Sequence, residues 1–584
     1  MNSLKQAIEN HFGWFVMASI SLVIFALYQH ALGSGFILDD ATSIRVEPLM
    51  IQDDILPLYE KFKLRFVGYL SFWANYQISG EDPAAFRLVN ICIHSVNGML
   101  VYWLSVRLLS SFGGAPALAL RQQWIALGIA LVFVAHPLQT QAVTYIVQRL
   151  ASLMALFYLG ALCCWVEIYR SSRLSSKALW GILFALCTLA ACFTKENAFT
   201  LPLILLLMEA LLFRRFSLRQ WVGAGAVLGV LCLVVLLSSE GLLELVDRRT
   251  RETPNISRWE YFSHQWVVLW IYLSKVIWPY PQLLDYGIQL DSFGRSATIM
   301  AGMAHVLFVG LGFVLWRRLP LATFGILFFY ITHSVESGLI PIRDLAFEHR
   351  NYLPIFGVFL SVGAVILHLK DRSLVATNGL ILIFLGLFVF FAQATWARNQ
   401  MWVNQEALLK HDIAHTEGNV RALYNLSVWY QRNGRYDDSI EAMKAVVKAN
   451  QGRLDLLHAT TYVAALIDLD LHDRALSILD KVLDMPMNPM ARAAFLRQYG
   501  TVLTAKADDE AAADVFEESM IVSPLDYDGG LAYGYSLIQL GRFSDAKRFL
   551  VQLERRFGQR TRLKMLNGVL SHEKKLRESK AGGR

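Results

Sequence analysis

Two adjacent carboxylates, Asp39 and Asp40, stand just beyond the first apolar run, residues 14–32, where the chain enters a polar loop. Ionisable groups at the edge of a membrane are costly to place, and they mark functional sites more often than other positions do. The pair predicts acid–base chemistry at a membrane surface, on a substrate that is itself anchored in lipid. A loop cap or a solvated turn is the alternative reading of this pair taken alone.

Polar residues continue from this loop into the second apolar run. Arg65 lies in the loop, and Arg87, Asn90 and His94 follow with a spacing that places all three on one face of a helix. Polar groups on one face of a membrane helix indicate a cavity or an internal partner. Hydrogen bonding between helices is an equally favoured explanation for Asn90 and His94.

The loop 136–149 reads HPLQTQAVTYIVQR, and its polar candidates are His136, Gln141, Tyr145, Gln148 and Arg149. The last four of these are expected on one side of a helix that enters the membrane. An arginine at this depth requires an anion, and guanidinium binds phosphate through two parallel hydrogen bonds. A lipid-linked phosphate is therefore one predicted partner of Arg149, and a structural ion pair is the other.

Two further polar clusters stand directly beside apolar runs. Lys195 and Glu196 either neutralise other groups or, in the case of Lys195, face a phosphate. The second cluster contributes Glu336, Glu348, His349 and Arg350. Four cations are thus candidates to surround a phosphate leaving group: Arg149, Lys195, His349 and Arg350. With a carboxylate that deprotonates a hydroxyl, they suit transfer of a sugar from a polyprenyl-phosphate carrier.

The composition explains how these residues are positioned. Of the 584 residues 55% are hydrophobic and 17% are charged, whereas about a quarter are charged in an average soluble protein. Apolar runs fill residues 1–395, which predicts a membrane domain; a linker helix at 396–418, a soluble helical domain at 419–570 and a basic disordered tail at 571–584 follow. The expected fold class is all-α.

Charge and cysteine usage exclude other classes of function. The net charge of +7 is modest, and its basic clusters mark the cytoplasmic side of a membrane, so nothing indicates nucleic acid. All six cysteines lie in apolar runs without the paired spacing of a zinc or redox site.

The distribution of basic loops predicts eleven membrane crossings, with the N-terminus inside and the C-terminus outside. A twelfth run, 261–278, is expected to dip into the membrane and return, or to lie at the interface, because a full crossing would place two basic clusters outside. This topology collects six polar loops on the outer side: 33–85, 136–149, 194–197, 238–260, 279–296 and 333–352.

The soluble domain repeats with a period typical of tetratricopeptide repeats, which have 34 residues. Small residues recur at Ser439, Ala475, Ala511 and Ala546, separated by 36, 36 and 35 residues. About four repeats are expected to stack into a short α-solenoid that binds peptides or proteins. A generic array of helical hairpins is the alternative.

The ordered motifs FILDD, RFVGYLSFWANY, FRLVNICIH, HPLQTQAVTYIVQR, FTKENAFTLP and EHRNYLPIFG, followed by the repeats, carry a resemblance. The chain resembles the transmembrane and tetratricopeptide-repeat-containing O-mannosyltransferases and their bacterial relatives, within the GT-C superfamily of integral-membrane glycosyltransferases. The resemblance implies a polyprenyl-phosphate-sugar donor and transfer to a hydroxyl of a protein. It also implies that Asp39 is the catalytic base, that Asp40 is its neighbour in substrate binding, and that the four cations handle the phosphate.

Two positions depart from this family. Animal members often have Glu where Gln141 stands and His where Arg87 stands, so a donor sugar other than mannose is an alternative. Metal use varies in the superfamily, and no loop here has a metal-ligand cluster, so no obligatory metal or other cofactor is expected.

The sequence therefore predicts a bacterial inner-membrane enzyme that transfers a sugar to Ser or Thr of an exported protein held by periplasmic repeats. An acceptor glycan or lipid is an alternative within the same class. A non-enzymatic membrane scaffold that recruits partners through its repeats is the alternative from another class.

Overall fold

The structure is a computed structural model that describes residues 2–110, 119–213, 256–370, 374–558 and 560–582. All regular secondary structure in these ranges is helical, with no strand, so the all-α prediction is confirmed. The chain divides into two compact units, Met1–His415 and Thr416–Arg584. This division falls within the linker predicted at 396–418.

The first unit is built from long apolar helices joined by short irregular segments. Its longer helices are Asn2–Tyr28, Phe66–Ser79, Pro83–Ser110, Ala119–Ala135, Arg149–Arg170, Leu174–Cys192, Leu201–Met208, Arg258–Ile277, Arg295–Leu315, Pro320–His333, Ile355–Lys370, Leu374–Val403 and Gln405–His415. Among the described residues, seven helical stretches are long and apolar enough to cross a membrane, or eight if one pair bent by 54° forms a single span. The chain is a multi-pass membrane protein.

Two further apolar helices, Pro320–His333 and Ile355–Leu369, are shorter than a full span. The predicted run 220–237, most of the loop 238–260, and the basic residues 214–219 and 371–372 lie outside the described residues. Eleven crossings therefore remain a prediction.

The segment 261–278 differs from one of its two predicted forms. Residues Arg258–Ile277 form one unbroken helix, so this segment does not dip into the membrane and return. Tyr261, Val268 and Tyr272 lie on its buried face, while Trp259 is exposed. At about 1.5 Å per residue this helix is about 30 Å long, but it is not among the described stretches that are also apolar enough to cross a membrane.

The loop 136–149 also differs from expectation, because it is not one helix. Pro137–Gln139, Thr140–Val143 and Ile146–Gln148 are separate short turns, and the long helix begins only at Arg149. Proline lacks a backbone N–H and fixes its own φ, which favours the break at its start. Gln141, Tyr145 and Gln148 therefore do not share a helix face with Arg149.

Two glycines position the polar loop that follows residue 333. Gly325 and Gly357 face each other where helices Pro320–His333 and Ile355–Lys370 meet, and a Cβ on either would collide with the backbone carbonyl of the other. Small residues of this kind let membrane helices approach closely. The contact draws together the two helices that flank the loop carrying Glu336 and Arg350.

The second unit consists of consecutive helix pairs and a final helix. The pairs are Val420–Arg432 with Tyr436–Ala449, Leu456–Asp468 with His472–Leu483, Pro489–Ala505 with Asp509–Val522, and Tyr527–Gln539 with Phe543–Phe557. The last helix is Thr561–Gly582. Residues 571–582, expected to be disordered, continue this helix.

One backbone position recurs in the turn of every pair. Gly434, Asp470, Ala507 and Gly541 all have a positive φ, between 55° and 73°. Each lies two residues before the second helix of its pair. The left-handed conformation costs an ordinary L-residue roughly 1–2 kcal/mol, and glycine little. The outer pairs therefore have the residue that this turn favours, and the middle pairs do not.

This turn corrects the predicted register of the third pair. Five residues after each turn residue stand Ser439, Ala475, Ala512 and Ala546, all with 0% exposure. Ala511, predicted at this position, is half-buried and lies one residue too early. Seven residues before the turn, Gly500 and Gly534 are crowded by Phe516 and Leu550 of the partner helix. In the third and fourth pairs the two helices thus approach each other closely at these glycines.

We expect Ala507→Gly to stabilise the full-length protein by about 0.5–1 kcal/mol, because it relieves the left-handed strain at the cost of some unfolded-state entropy. Gly434→Ala should destabilise it by about 1 kcal/mol, since nothing within 4 Å crowds the added methyl and only the backbone strain remains. Thermal unfolding in detergent micelles measures both. A lower midpoint for Ala507→Gly would contradict the shared turn.

Candidate active site

The two carboxylates of the first loop have different surroundings. Asp39 is exposed, and its backbone N–H donates to the Tyr145 hydroxyl over 3.0 Å. Asp40 has 0% exposure, and its carboxylate accepts the backbone N–H groups of Ile37 (3.2 Å) and Val147 (2.8 Å). Asp39 thus faces outward, while Asp40 joins its own loop to the 145–147 segment.

The electrostatics of Asp40 reflect this burial. Burial raises the pKa of its carboxyl to about 7, against the opposing effects of the Val147 N–H and the Arg87 charge. With a pKa near neutral pH, the Asp40 carboxyl is only partly ionised and does not supply a fixed negative charge. Its hydrogen bonds to backbone give Asp40 a structural function in holding the loop that presents Asp39.

Arg87 and Asn90 satisfy backbone carbonyls of the same segments. Arg87, with 0% exposure, donates to the carbonyls of Ser34, Gly35 and Thr144. The Asn90 amide donates to the carbonyls of Val143 (3.0 Å) and Ile146 (3.3 Å). Both side chains have 0% exposure, so the inter-helix alternative fits Asn90.

His94 belongs to another internal network. Its ring nitrogens lie 2.7 Å from the Tyr352 hydroxyl and 3.1 Å from the Val134 carbonyl. Asn97, one turn further on, donates to the same hydroxyl over 2.9 Å and to the Ser152 carbonyl over 2.8 Å. This network fixes Tyr352, which lines the pocket described below.

The structure corrects the phosphate assignment of Arg149. This side chain has 0% exposure, and its guanidinium donates to four neutral residues: Asn90 (2.6 Å), Ser71 (3.0 Å), Asn75 (2.8 Å) and Phe86 (2.9 Å). It also lies over the rings of Phe72 and Phe86. These acceptors occupy the guanidinium on all sides, so Arg149 is a structural cation that ties three helices together.

The remaining candidates of the 136–149 loop are positioned as follows. His136 is buried, with its ring nitrogens bonded to the Val276 carbonyl (3.0 Å) and the Leu138 N–H (3.2 Å). Tyr145 packs against Trp402 with ring centroids 5.8 Å apart. Gln148 is half-buried. These contacts hold the loop in place.

A small pocket does bring together three of the four predicted cations, and its lining includes Lys195, Asn197, Glu336, His349 and Arg350. Lys195 forms an ion pair with Glu336, with its Nζ 2.7 Å from Oε1. The Asn197 amide donates to the other carboxylate oxygen over 2.9 Å. All five residues are less than a tenth exposed, so the charges interact with little screening by water.

Arg350 contributes a second positive charge to this pocket. Its terminal nitrogens donate to the carbonyls of Leu345 (3.0 Å) and Asp344 (2.7 Å), which are neutral acceptors. Its buried Nε and the buried Oδ1 of Asn197 have no hydrogen-bond partner in the described ranges. The pocket therefore has one buried donor and one buried acceptor that a bound group can use.

His349 was predicted as a cation, and the structure makes it neutral. Burial, with the neighbouring charge of Lys195, lowers the pKa of His349 well below its usual value. Its backbone N–H donates to the Gln141 side-chain oxygen over 2.8 Å, and its Nδ1 lies 3.1 Å from the same oxygen. Gln141 therefore positions His349 and links the 136–149 loop to the pocket.

The glutamates of the last cluster differ in charge. Burial raises the pKa of Glu336, but the positive charges of Lys195 and Arg350 outweigh burial and leave it below its usual range. Burial raises the pKa of Glu348 to about 7, although the Arg398 charge opposes the shift. Glu336 is thus the ionised carboxylate of the pocket, while Glu348 accepts the Leu283 N–H over 2.8 Å.

Glu196 and Arg65 pair with each other. The guanidinium of Arg65 donates to both carboxylate oxygens of Glu196, over 3.0 and 3.3 Å. This partly exposed pair joins the first loop to the turn that carries Lys195. Lys195 and Glu196 therefore pair with different residues, and of these two only Lys195 lines the pocket.

Asn197 is a site residue that the sequence analysis did not single out. The sequence feature that could have identified it is its position in the polar triplet 195–197 between two apolar runs. A buried amide at such a position needs hydrogen-bond partners. Within the described ranges, no group of three or more His, Cys, Asp or Glu side chains converges as a metal site would require.

Arg149→Ala should destabilise the membrane unit by about 3 kcal/mol or more, because four buried acceptors lose a charged donor. Arg149→Lys should restore little, since one ammonium cannot reach acceptors spread around a planar guanidinium. Thermal unfolding in detergent measures both variants. A stable Arg149→Ala protein that binds a polyprenyl phosphate poorly would instead support the original phosphate assignment.

Lys195→Met and Glu336→Gln should each lower the free energy of unfolding by about 3 kcal/mol, because each leaves one buried charge unpaired. The double variant should cost clearly less than the sum of the two, since it removes both charges. A double-mutant cycle of thermal unfolding measures the coupling. Additive costs would contradict a buried pair.

Comparisons with known proteins cover part of the chain. No protein-family model matches it. Over 217 residues, 33% of this chain and 24% of the relative, it is 26% identical to protein O-mannosyl-transferase TMTC2 of Homo sapiens. Over 211 residues, 33% of this chain and 23% of the relative, it is 30% identical to protein O-mannosyl-transferase Tmtc1 of Drosophila melanogaster. Protein O-mannosyl-transferase F38B6.6 of Caenorhabditis elegans is 28% identical over 199 residues, 30% of this chain and 27% of the relative.

The chain thus spans about a quarter of the length of the curated relatives it matches. The resemblance predicted from the ordered motifs is confirmed: over about a third of its length this chain is similar to the TMTC protein O-mannosyl-transferases.

Proposed function

We propose that this protein is an integral-membrane glycosyltransferase that moves a sugar from a polyprenyl-phosphate carrier to a Ser or Thr hydroxyl of an exported protein. The observation that carries the proposal is the buried pocket in which Lys195 and Arg350 face Glu336. The similar proteins are named protein O-mannosyl-transferases, which supports a hydroxyl acceptor on a protein.

The charge balance of the pocket fits the donor. Two positive charges, on Lys195 and Arg350, meet the single negative charge of Glu336, and His349 is neutral. Among the groups that line the pocket one positive charge therefore remains, while Asp344 acts on Arg350 from beside the pocket. A phosphodiester such as a polyprenyl-phosphate sugar carries one negative charge. Charge-assisted hydrogen bonds from ammonium and guanidinium groups are the strong contacts that hold a phosphate.

In the proposed reaction Asp39 is the general base. Its exposed carboxylate takes the proton of the acceptor hydroxyl as the hydroxyl oxygen forms a bond to the anomeric carbon. The bond from this carbon to the phosphate oxygen breaks, and the phosphate leaves with the bonding electron pair. Lys195 and Arg350 stabilise the charge that grows on the phosphate. Direct displacement of this kind inverts the anomeric configuration.

One loop connects the proposed base with the pocket through hydrogen bonds. Tyr145 accepts the Asp39 N–H, and Gln141, four residues earlier, accepts the His349 N–H. Four residues of chain span at most about 14 Å. We infer that the sugar of a donor held by the cations lies on the side of the pocket next to this loop.

The second unit is proposed to hold the acceptor protein. Stacked tetratricopeptide-like helix pairs form binding surfaces for peptides, and a bound acceptor has a raised local concentration at the membrane. We place the enzyme in a bacterial inner membrane with this unit on the periplasmic side, because the short basic loops mark the opposite face. Asp39 and the pocket then face the periplasm.

We expect Asp39→Asn to abolish transfer while the protein still accumulates in the membrane, because the variant keeps the loop contacts and loses only an exposed carboxylate. Asp53→Asn, an exposed carboxylate of the same loop, is the matched control and should retain full transfer. Mass spectrometry of exported proteins from a deletion strain complemented with each form measures glycosylated Ser and Thr.

The outcome separates the proposal from its rivals. Glycosylated peptides with the wild type and Asp53→Asn, and none with Asp39→Asn, would support protein glycosylation. Full function of Asp39→Asn would favour a scaffold. Glycosylation of an envelope glycan or lipid, with exported proteins unchanged, would replace the protein acceptor.

A further inference from the structure

A buried carboxylate on the last helix of the membrane unit has no part in the chemistry proposed above. Asp412, in helix Gln405–His415, is 1% exposed. Its Oδ2 accepts the backbone N–H groups of Leu284 (2.9 Å) and Asp285 (3.1 Å). One carboxylate oxygen thus fixes two successive peptide groups of the loop 281–286.

The same loop touches the residues of the phosphate pocket. The carbonyl of Leu284 accepts the Gln141 amide over 3.0 Å, and the oxygen of that amide accepts the His349 N–H over 2.8 Å. The N–H of Leu283 donates to Glu348 over 2.8 Å. Leu284 is therefore held by Asp412 on one side and holds Gln141 on the other.

The loop 281–286 is in contact with two buried carboxylates, which an ordinary surface turn does not need. Asp412 and Glu348 are both 1% exposed, and both carboxylates lie against one short loop. Burying two acids beside each other is costly, since each disfavours the charge of the other. The Asp412 carboxylate accepts N–H groups of a loop that is distant in sequence, so these bonds do not stabilise its own helix.

The helix that carries Asp412 leads directly into the second unit, which begins at Thr416. Its final residue, His415, also forms a hydrogen bond next to this loop, with Nε2 3.1 Å from the Tyr280 hydroxyl. Two side chains of one helix, about a turn apart, thus fix the loop 281–286 and its approach.

We infer that Asp412 is a positioning residue for the phosphate pocket: through Leu284 and Gln141 it sets the backbone position of His349 and the adjoining Arg350. The inference rests on the proposed function, because it assigns the pocket to a phosphate. It adds regulation to that site, since any displacement of helix Gln405–His415 changes the donor-binding cations. Donor binding is in this way tied to the segment that leads to the acceptor-binding unit.

The first test measures hydrogen–deuterium exchange of the full-length protein in lipid nanodiscs, without any ligand. Asp412→Ala should speed amide exchange in peptides covering 283–285 and also in those covering 347–352, because both sets of N–H groups depend on the same contacts. Peptides from helix Arg149–Arg170 should be unchanged, which reports that the fold is intact. Lys410→Gln, an exposed change on the same helix, is the matched control and should leave all these peptides unchanged.

The second test measures binding of farnesyl phosphate, a short polyprenyl phosphate, to the same proteins. Asp412→Ala should raise its Kd about ten-fold, which corresponds to about 1.4 kcal/mol. Asp412→Asn should lie near the wild type, because its remaining oxygen can accept both N–H groups. In a transfer assay Asp412→Ala should raise the donor KM and leave kcat nearly unchanged, whereas Asp39→Asn should abolish kcat.

The two tests distinguish the inference from the function on which it rests. Faster exchange confined to 283–285 would overturn the positioning inference, whatever the ligand result. A wild type that does not bind farnesyl phosphate would overturn the phosphate pocket of the proposed function. Faster exchange at 347–352 together with weaker binding in Asp412→Ala, and neither in Lys410→Gln, would support the inference.

Discussion

Irregular backbone beside membrane helices must have its N–H and C=O groups satisfied by the protein itself, and this constraint accounts for most of the polar residues in the first unit. Arg87 and Asn90 donate to carbonyls of the loops that begin at residues 34 and 136. Asp40 accepts the Val147 N–H of the second of these loops, and Asp412 accepts N–H groups of the loop 281–286. Five of the six loops predicted on the outer side contact one another in this way, and most of the sixth lies outside the described residues.

The same constraint explains which site residues could be predicted from the sequence. Of the four cations predicted around a phosphate, Lys195, His349 and Arg350 do line one pocket, and the further candidate Glu336 lines it with them. Arg149 is grouped with them because it is an arginine at the point where a helix enters the membrane. A buried arginine satisfied by neutral amides and carbonyls has the same sequence signature as one that binds phosphate, so only the contacts separate them.

Local backbone geometry was predictable only where a residue type dictates it. The all-α class follows from the apolar periodicity, and the break at Pro137 follows from proline itself. The register of the third helix pair depends on Ala507 adopting a left-handed conformation, and alanine gives no signal for that. Gly434 and Gly541 gave the signal in the outer pairs. The neutral state of His349 depends on burial, which a loop sequence does not reveal.

The Lys195–Glu336 pair has a consequence for turnover under the proposed function. The donor is a diester with one negative charge, whereas the polyprenyl phosphate that leaves is a monoester whose second ionisation, with a pKa of about 6, gives it nearly two. A pocket with cations alone would hold this product more tightly than the donor. Glu336, fixed by Lys195 and Asn197 at the pocket wall, opposes the added charge. The carboxylate thus favours exchange of spent carrier for fresh carrier, and it gives Lys195 a partner whenever the pocket contains no phosphate.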